Sequence, residues 1–398
     1  MRKPELLAPA GDLERLKWAI NYGADAVYFG GPAFGLRANA ANFSMEDIKE
    51  ASSFAHDRKK RIYVTVNISL HNKELDDLIN YLKNLEKYGV DAVIVSDPAV
   101  INLVNKYTNL EIHLSTQQST INYEAVNFWK KHNVTRIVLA REASGKEIKE
   151  IIAKTSIEVE CFIHGAMCSA YSGRCVLSNF LTARDANRGG CAQICRWDFD
   201  LLDKNKNKLI GEKPFTLSSK DLSMLEYIPE MIDAGITSFK IEGRMRSIYY
   251  IATVLSVYRK VIDDFCTDSL NYAYDENLQK ILDNCSNRDS IPQFFNGDFS
   301  EKCQYYNGRE EVSNQDFLGV ILSYDEKTKL AKVEQRNHFK KFDIVEIFGP
   351  LTGIKELVIK EIYDEDNNLI DIVNHPQQIV YIKMDEKVNV FDLMRIKK

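Results

Sequence analysis

The sequence has no long apolar run and no familiar hydrolytic or nucleotide-binding motif. No stretch approaches the roughly 18 consecutive apolar residues that a membrane span needs. The N-terminal MRKPELLAPAG lacks the apolar run that would follow the charges of a signal peptide. A cytoplasmic protein is the expectation, with no membrane partner, and in that compartment thiols stay reduced. HExxH and GxSxG are both missing, which removes two common hydrolase signatures. GxGxxG follows no strand candidate, which argues against a dinucleotide-binding sheet. The formal net charge of −5 gives no global pull toward nucleic acid, so a polyanion would have to meet a local basic patch.

The chain has 398 residues, enough for two domains of which one is large. Up to about residue 265, short β-branched runs alternate with amphipathic helical patterns. ELLAPA, DAVYFG, RIYVTVN, DAVIVSD, EIHLSTQ, RIVLAR, EVECFIH and SFKIEGR are the strand candidates. Most are near-continuously apolar, as strands covered on both faces must be. SMED, beginning at Ser44, has the pattern of a helix capping box. Strand–helix units in this number predict an α/β fold, a (β/α)8 TIM-like barrel, with an open doubly wound sheet as the alternative. The rhythm breaks at 165–222, which reads as a Cys-rich insertion after strand seven, on the barrel face where loops carry chemistry. Within it WDFDLLDKNKNKLIG reads as a hairpin. Residues 266–312 read as a polar, irregular connector. From 313 to 398, short strands with charged turns predict a small C-terminal all-β barrel domain.

The insertion carries the strongest chemical signal. Cys168 and Cys175 are separated by six residues, Cys175 and Cys191 by fifteen, and Cys191 and Cys195 by three. Thiolates suit zinc or an iron–sulfur cluster, and this spacing does not choose between them. The bland alternative is a set of buried free cysteines, and Cys161, inside an apolar run, fits that better. Arg174, Arg184, Arg188 and Arg196 interleave with Tyr171, Phe180 and Trp197, a mixture suited to single-stranded nucleic acid but also to any solvated loop.

Polar residues at the ends of the strand candidates should converge on one barrel mouth. They are Arg37, Asn67, Asp97, Gln117, Arg141 with Glu142, His164, and Glu242 with Arg244. The arginines, with Asn67 and Gln117, form the expected substrate-binding set, because guanidinium groups take carboxylates bidentately. His164, Glu142 and Glu242 are the acid–base candidates. Taken singly, each fits a strand-end salt bridge or hydrogen-bonding partner equally well.

ECFIHGAMCSAYSGRCVLS resembles the signature of peptidase family U32, the collagenase-like proteases. The resemblance continues through SNFLTARDANRGGCAQICRWDF and SFKIEGRMRS, reaches back to ELLAPAG, DAVYFGG and LRANAANF, and extends to the C-terminal β-domain. The family label implies a peptidase acting on collagen-like or other peptides. Its hydroxylase members imply a different activity, the oxygen-independent hydroxylation of RNA or ubiquinone with a 4Fe–4S cluster and prephenate as oxygen donor. Chain length and GGCAQICRW look most like members that convert the wobble uridine of tRNA to 5-hydroxyuridine. On that resemblance Cys168, Cys175, Cys191 and Cys195 would be the cluster ligands, prephenate the co-substrate, and the tRNA anticodon loop the partner. A related U32 subunit is a further partner that the resemblance allows.

Overall fold

The computed structural model describes residues 2–36, 42–209, 215–285, 288–297, 299–307 and 317–396. Its first ten strands are β1 (Glu5–Pro9), β2 (Ala26–Gly30), β3 (Arg61–Val66), β4 (Ala92–Val95), β5 (Glu111–Leu114), β6 (Arg136–Val138), β7 (Glu158–Gly165), β8 (Asp221–Ser223), β9 (Ser238–Ile241) and β10 (Ser290–Ile291). Strands β1 to β7 lie side by side in parallel. β9 closes the ring, with Ser238 opposite both Glu5 of β1 and Glu160 of β7. All eight sequence runs thus become staves of one TIM-like barrel. β2 shows why they are apolar throughout: every one of its residues is buried, one face against helices and the other inside the ring.

The helices are α1 (Leu13–Asn21), α2 (Met45–His56), α3 (Leu75–Lys87), α4 (Pro98–Tyr107), α5 (Tyr123–Lys130), α6 (Gly145–Lys154), α7 (Leu177–Thr182), α8 (Ile228–Asp233), α9 (Ile248–Thr267) and α10 (Glu276–Cys285). Their starts are set locally. Ser44 and Asp47 form the reciprocal capping box, Ser144 and Glu147 repeat it on α6, and Asp97 caps α4 ahead of Pro98. No described helix is long and apolar enough to cross a membrane.

A buried polar layer sits inside the ring. Arg136 Nη1 lies 2.6 Å from Glu5 Oε1 and 3.2 Å from Glu160 Oε2, and Lys240 Nζ donates to Glu160 Oε1 at 2.7 Å. Burial alone would raise the Glu160 carboxyl, but Lys240 and Arg136 outweigh it and hold it at about 2. The charges are tolerable there because each has an opposite partner.

Residues 267–311 are not all irregular. α10 packs against α9 and buries Leu278, Leu282 and Cys285. Further on, Ser290 pairs with Asp221 in a parallel β10–β8 ladder, Lys220 N–H donates to the Cys303 carbonyl, and Tyr305 N–H to that of Ser218. Ser290–Ile291 and Cys303–Tyr305 are therefore tied to the end of the insertion.

The last ten strands are β11 (Phe317–Asp325), β12 (Leu330–Gln335), β13 (Phe339–Lys340), β14 (Ile344–Gly349), β15 (Gly353–Val358), β16 (Ile362–Tyr363), β17 (Leu369–Ile370), β18 (Ile372–Val373), β19 (Ile379–Lys383) and β20 (Leu393–Ile396). They form an antiparallel all-β domain with strand order β15-β14-β20-β11-β12-β19-β16-β17, plus a β13–β18 pair. Alternation along β12 buries Ala331, Val333 and Gln335 and leaves the residues between them partly exposed. The domain docks on α1 and α9. Tyr22 Oη donates to the Phe391 carbonyl at 2.6 Å, Trp18 meets the Phe391 ring edge-on, and Tyr249 stacks on Phe317 at 5.0 Å.

Candidate active site at the barrel mouth

Asn67 and Gln117 are brought together at the ends of β3 and β5. Asn67 Nδ2 donates to Gln117 Oε1 at 2.6 Å, and Gln117 Nε2 returns a bond to the Asn67 carbonyl at 2.9 Å. Ser115 Oγ also donates to Gln117 Oε1, which fixes the amide. Arg141, beyond β6, lies 3.8 Å over the Phe162 ring and donates to Ser172 Oγ at 3.2 Å. This guanidinium joins the barrel wall to the cysteine segment. Burial raises the neighbouring Glu142 carboxyl, while its own backbone N–H and Arg141 pull the other way. Asp97 serves as a cap and accepts Leu70 N–H, so it is spent on local structure.

The three arginines expected to share one anion are not shown together. Arg37 lies outside the described residues. Arg244 is buried, and its guanidinium donates to Thr65 Oγ1 and the Leu36 carbonyl, holding the loop after β2 against β3. Glu242 lies beside the turn at Gly165, where a Cβ would come within 2.7 Å of the Glu242 carbonyl oxygen. His164 also departs from expectation. A register shift between Phe162 and His164 turns the imidazole toward α9, where its Nδ1 lies 3.3 Å from Tyr258 Oη. Burial pushes its pKa down to about 3, with Arg246 adding to the effect, so the ring stays neutral. It is a wall contact, separate from the Asn67–Gln117–Arg141 group.

The cysteine segment folds back over this mouth. Gly173, at φ +79°, passes so close to Gln117 that a Cβ would lie 2.8 Å from its carbonyl oxygen. Asn187 N–H caps locally onto Asp185, and the Asn187 carbonyl accepts Ser69 N–H at 3.2 Å. Arg188 pairs with Glu74 at 2.5 Å and holds that carboxyl at about 2. Within the segment Ser178 Oγ accepts Ala192 N–H, and Asn187 Nδ2 reaches the Cys175 carbonyl. The expected hairpin is present as bridges between Phe199 and Phe215 and between Leu202 and Lys208. Cys168 and Cys191 are exposed, and Cys175 and Cys195 partly so. Their chemistry suits a thiolate-bound metal, but among the described residues no three His, Cys, Asp or Glu side chains are placed to hold one. The arrangement as it stands does not form a coordination shell.

One charged group was not legible in the sequence. Asp221, at the start of β8, has Arg288 Nη2 at 2.7 Å from Oδ1 and Arg246 Nη2 at 3.7 Å from Oδ2, with Arg196 in electrostatic reach. Burial raises the Asp221 carboxyl against the pull of all three. Arg288 belongs to NRDS, which reads only as a turn, and it meets Asp221 because β10 pairs with β8.

Residues 11–304 match the model of peptidase family U32, and residues 313–395 that of the peptidase family U32 C-terminal domain. The chain belongs to peptidase family U32. This U32 member is 51% identical over 400 residues to a Bacillus subtilis (strain 168) protein named tRNA hydroxylation protein P1, covering 99% of this chain and 95% of that one. It is 42% identical over 259 residues to the Escherichia coli (strain K12) 23S rRNA 5-hydroxycytidine C2501 synthase, covering 65% and 39%. It is also 32% identical over 376 residues to a collagenase of Porphyromonas gingivalis (strain ATCC BAA-308 / W83), covering 90% and 89%.

Proposed function

We propose that this U32 member hydroxylates tRNA, converting the wobble uridine of the anticodon loop to 5-hydroxyuridine with prephenate as oxygen donor. The observation that carries the reading is the full-length likeness, at 51% identity, to a protein named for tRNA hydroxylation. The rRNA relative's name adds a hydroxylated pyrimidine as product. Local features agree with an extruded base as substrate. Phe180 of α7 is 84% exposed and Arg184, four residues on, is exposed too, which offers a stacking ring and a cation for the backbone from one segment.

Within this reading, Arg141 faces the ligand from the mouth while Phe162 and Ser172 keep its guanidinium in place. The Asn67–Gln117 amide pair would orient polar edges of the base, and Glu142, whose carboxyl burial raises, would hold a proton, with Glu242 and Arg244 following the closing strand β9. Cys168, Cys175, Cys191 and Cys195 are proposed as ligands of a 4Fe–4S cluster, which would require the segment to draw its thiols together. When bound by all four thiolates, such a cluster would supply one-electron redox chemistry beside the mouth.

The test is nucleoside mass spectrometry of tRNA from a deletion strain. Loss of 5-hydroxyuridine, restored by the wild-type gene but not by Cys191→Ala, is expected. Anaerobically purified protein should hold about four irons per chain; stoichiometric zinc without iron would remove the cluster from the proposal. The collagenase relative favours a second reading, peptide hydrolysis. Unchanged tRNA in the deletion strain, together with gelatin cleavage by iron-free protein, would establish that reading instead.

A further inference from the structure

The amide pair at the mouth is fixed atom by atom, because a backbone group holds each end of it. The Leu36 N–H donates to Asn67 Oδ1 at 3.1 Å, and a backbone N–H can do nothing but donate. Asn67 Nδ2 is thereby turned to Gln117, which must present its oxygen there, at 2.6 Å. Gln117 Nε2 in turn meets the Asn67 carbonyl, which can only accept, at 2.9 Å. Neither amide can be turned over without setting like against like. The acceptors are then spent. Gln117 Oε1 takes both Asn67 Nδ2 and Ser115 Oγ, which uses its two lone pairs, and Asn67 Oδ1 is turned to Leu36 on the loop after β2. What the pair keeps is one N–H on each amide nitrogen, with no acceptor among the described residues.

Arg141 is tied to the same spot, since its partner Ser172 precedes Gly173, the residue packed on Gln117. Its guanidinium has only N–H groups to offer, and gives one hydrogen bond, to Ser172 Oγ. Asn67 is 7% exposed, and a buried N–H without an acceptor is costly. The group therefore asks for acceptors. Pyrimidine bases differ in this respect at C4, where uracil carries a carbonyl oxygen and cytosine an amino group that would set N–H against N–H. We infer that Asn67 and Gln117 are the specificity-determining pair of this mouth, donating to the C4 carbonyl oxygen of uracil and rejecting cytosine. The inference rests on the hydroxylase reading for the presence of a base, and adds which base and which edge. A carboxylate is an acceptor as well, but Arg141 offers it charge and paired N–H groups that neutral amides cannot match.

The experiment measures fluorescence anisotropy of anticodon stem–loops that differ only in the wobble base, with full-length protein purified anaerobically. The phosphates are the same in each, so the ratio of affinities isolates the base. The wild type should hold a uridine loop about tenfold or more above a cytidine loop, and above one with hydrogen alone at C4. Gln117→Glu keeps an oxygen for Asn67 and Ser115 but puts a second where the N–H was, so its ratio should turn toward cytidine. That carboxylate also faces the Asn67 carbonyl, so Gln117→Met, which removes donor and acceptor alike, is measured beside it and should bring the ratio to about one. The loops altered at C4 need no variant, and decide the matter even where both variants fail to fold. Equal wild-type affinity for all the loops overturns the inference and leaves the hydroxylase reading standing. An unchanged ratio in folded variants overturns it too, and loss of prephenate affinity in them would make the amides a seat for the co-substrate instead. No binding of any loop removes tRNA as the substrate, and the inference with it.

Discussion

His164 ends a strand whose alternation would place residues 160, 162 and 164 on the same side. Glu160 and Phe162 do face the barrel interior, against Lys240 and Arg141. The slip in pairing after Phe162 sends His164 outward to Tyr250 and Tyr258. A one-residue irregularity leaves no mark in composition or period, so this residue could be placed at the mouth by sequence but not aimed. The titration follows from the burial. With a folded pKa near 3 against an ordinary value of 6.5, the imidazole binds its proton only in the unfolded chain at intermediate pH. Its contribution to stability is therefore complete above about pH 6.5 and is lost as pH falls toward 3. His164→Gln should flatten the fall in urea midpoint across that window, and turnover should show no ionisation that disappears in the variant. A bell-shaped rate profile that loses one limb in His164→Gln would return the residue to the chemistry.

The cysteine segment is where element-scale reading gave out. The barrel strands were legible because burial on both faces demands unbroken β-branched runs, and α2 because Ser44 and Asp47 cap it within one turn. The segment is held instead by contacts distant in sequence: Arg188 to Glu74, Arg141 to Ser172, and Lys220 to Cys303. No local pattern announces these. α10 escaped for a related reason, since its buried face amounts to Leu278, Leu282 and Cys285 in an otherwise polar stretch. The close approach of Gly173 to Gln117 offers a direct test. Gly173→Ala adds a Cβ at positive φ against the Gln117 backbone, and should loosen the segment by about 1 kcal/mol or more. Hydrogen exchange should quicken between residues 166 and 196 while the barrel strands keep their protection; unaltered exchange there would mean the loop does not rest on Gln117.

At the scale of the molecule, the barrel and the β-domain share a seam that no local pattern in the sequence announces. Tyr22, the residue that caps the C-terminus of α1, gives its hydroxyl to carbonyls of Phe391 and Phe348, one at 2.6 Å and one at 3.2 Å. Val320, Phe348 and Leu393 of the β-domain belong to the barrel's apolar core rather than to their own. Tyr22→Phe should cost about 1–2 kcal/mol, because it deletes a donor and leaves buried acceptors. A matching drop in urea midpoint with one cooperative transition is expected. Two separated transitions already present in the wild type would contradict a shared core.

The closing stave also sets an order of events on the ribosome. β1 is made well before β9, and β7 lies between them in the chain, yet neither can complete its ladder until Ser238–Ile241 has left the exit tunnel. At about 5–20 residues per second the nascent chain spends tens of seconds as an open, apolar sheet with two unsatisfied borders. The cysteine segment emerges during that interval, before the strand pairs at 288–305 exist to support it. A chain cut short of β9 should therefore be cleared by proteolysis rather than accumulate as a shortened protein.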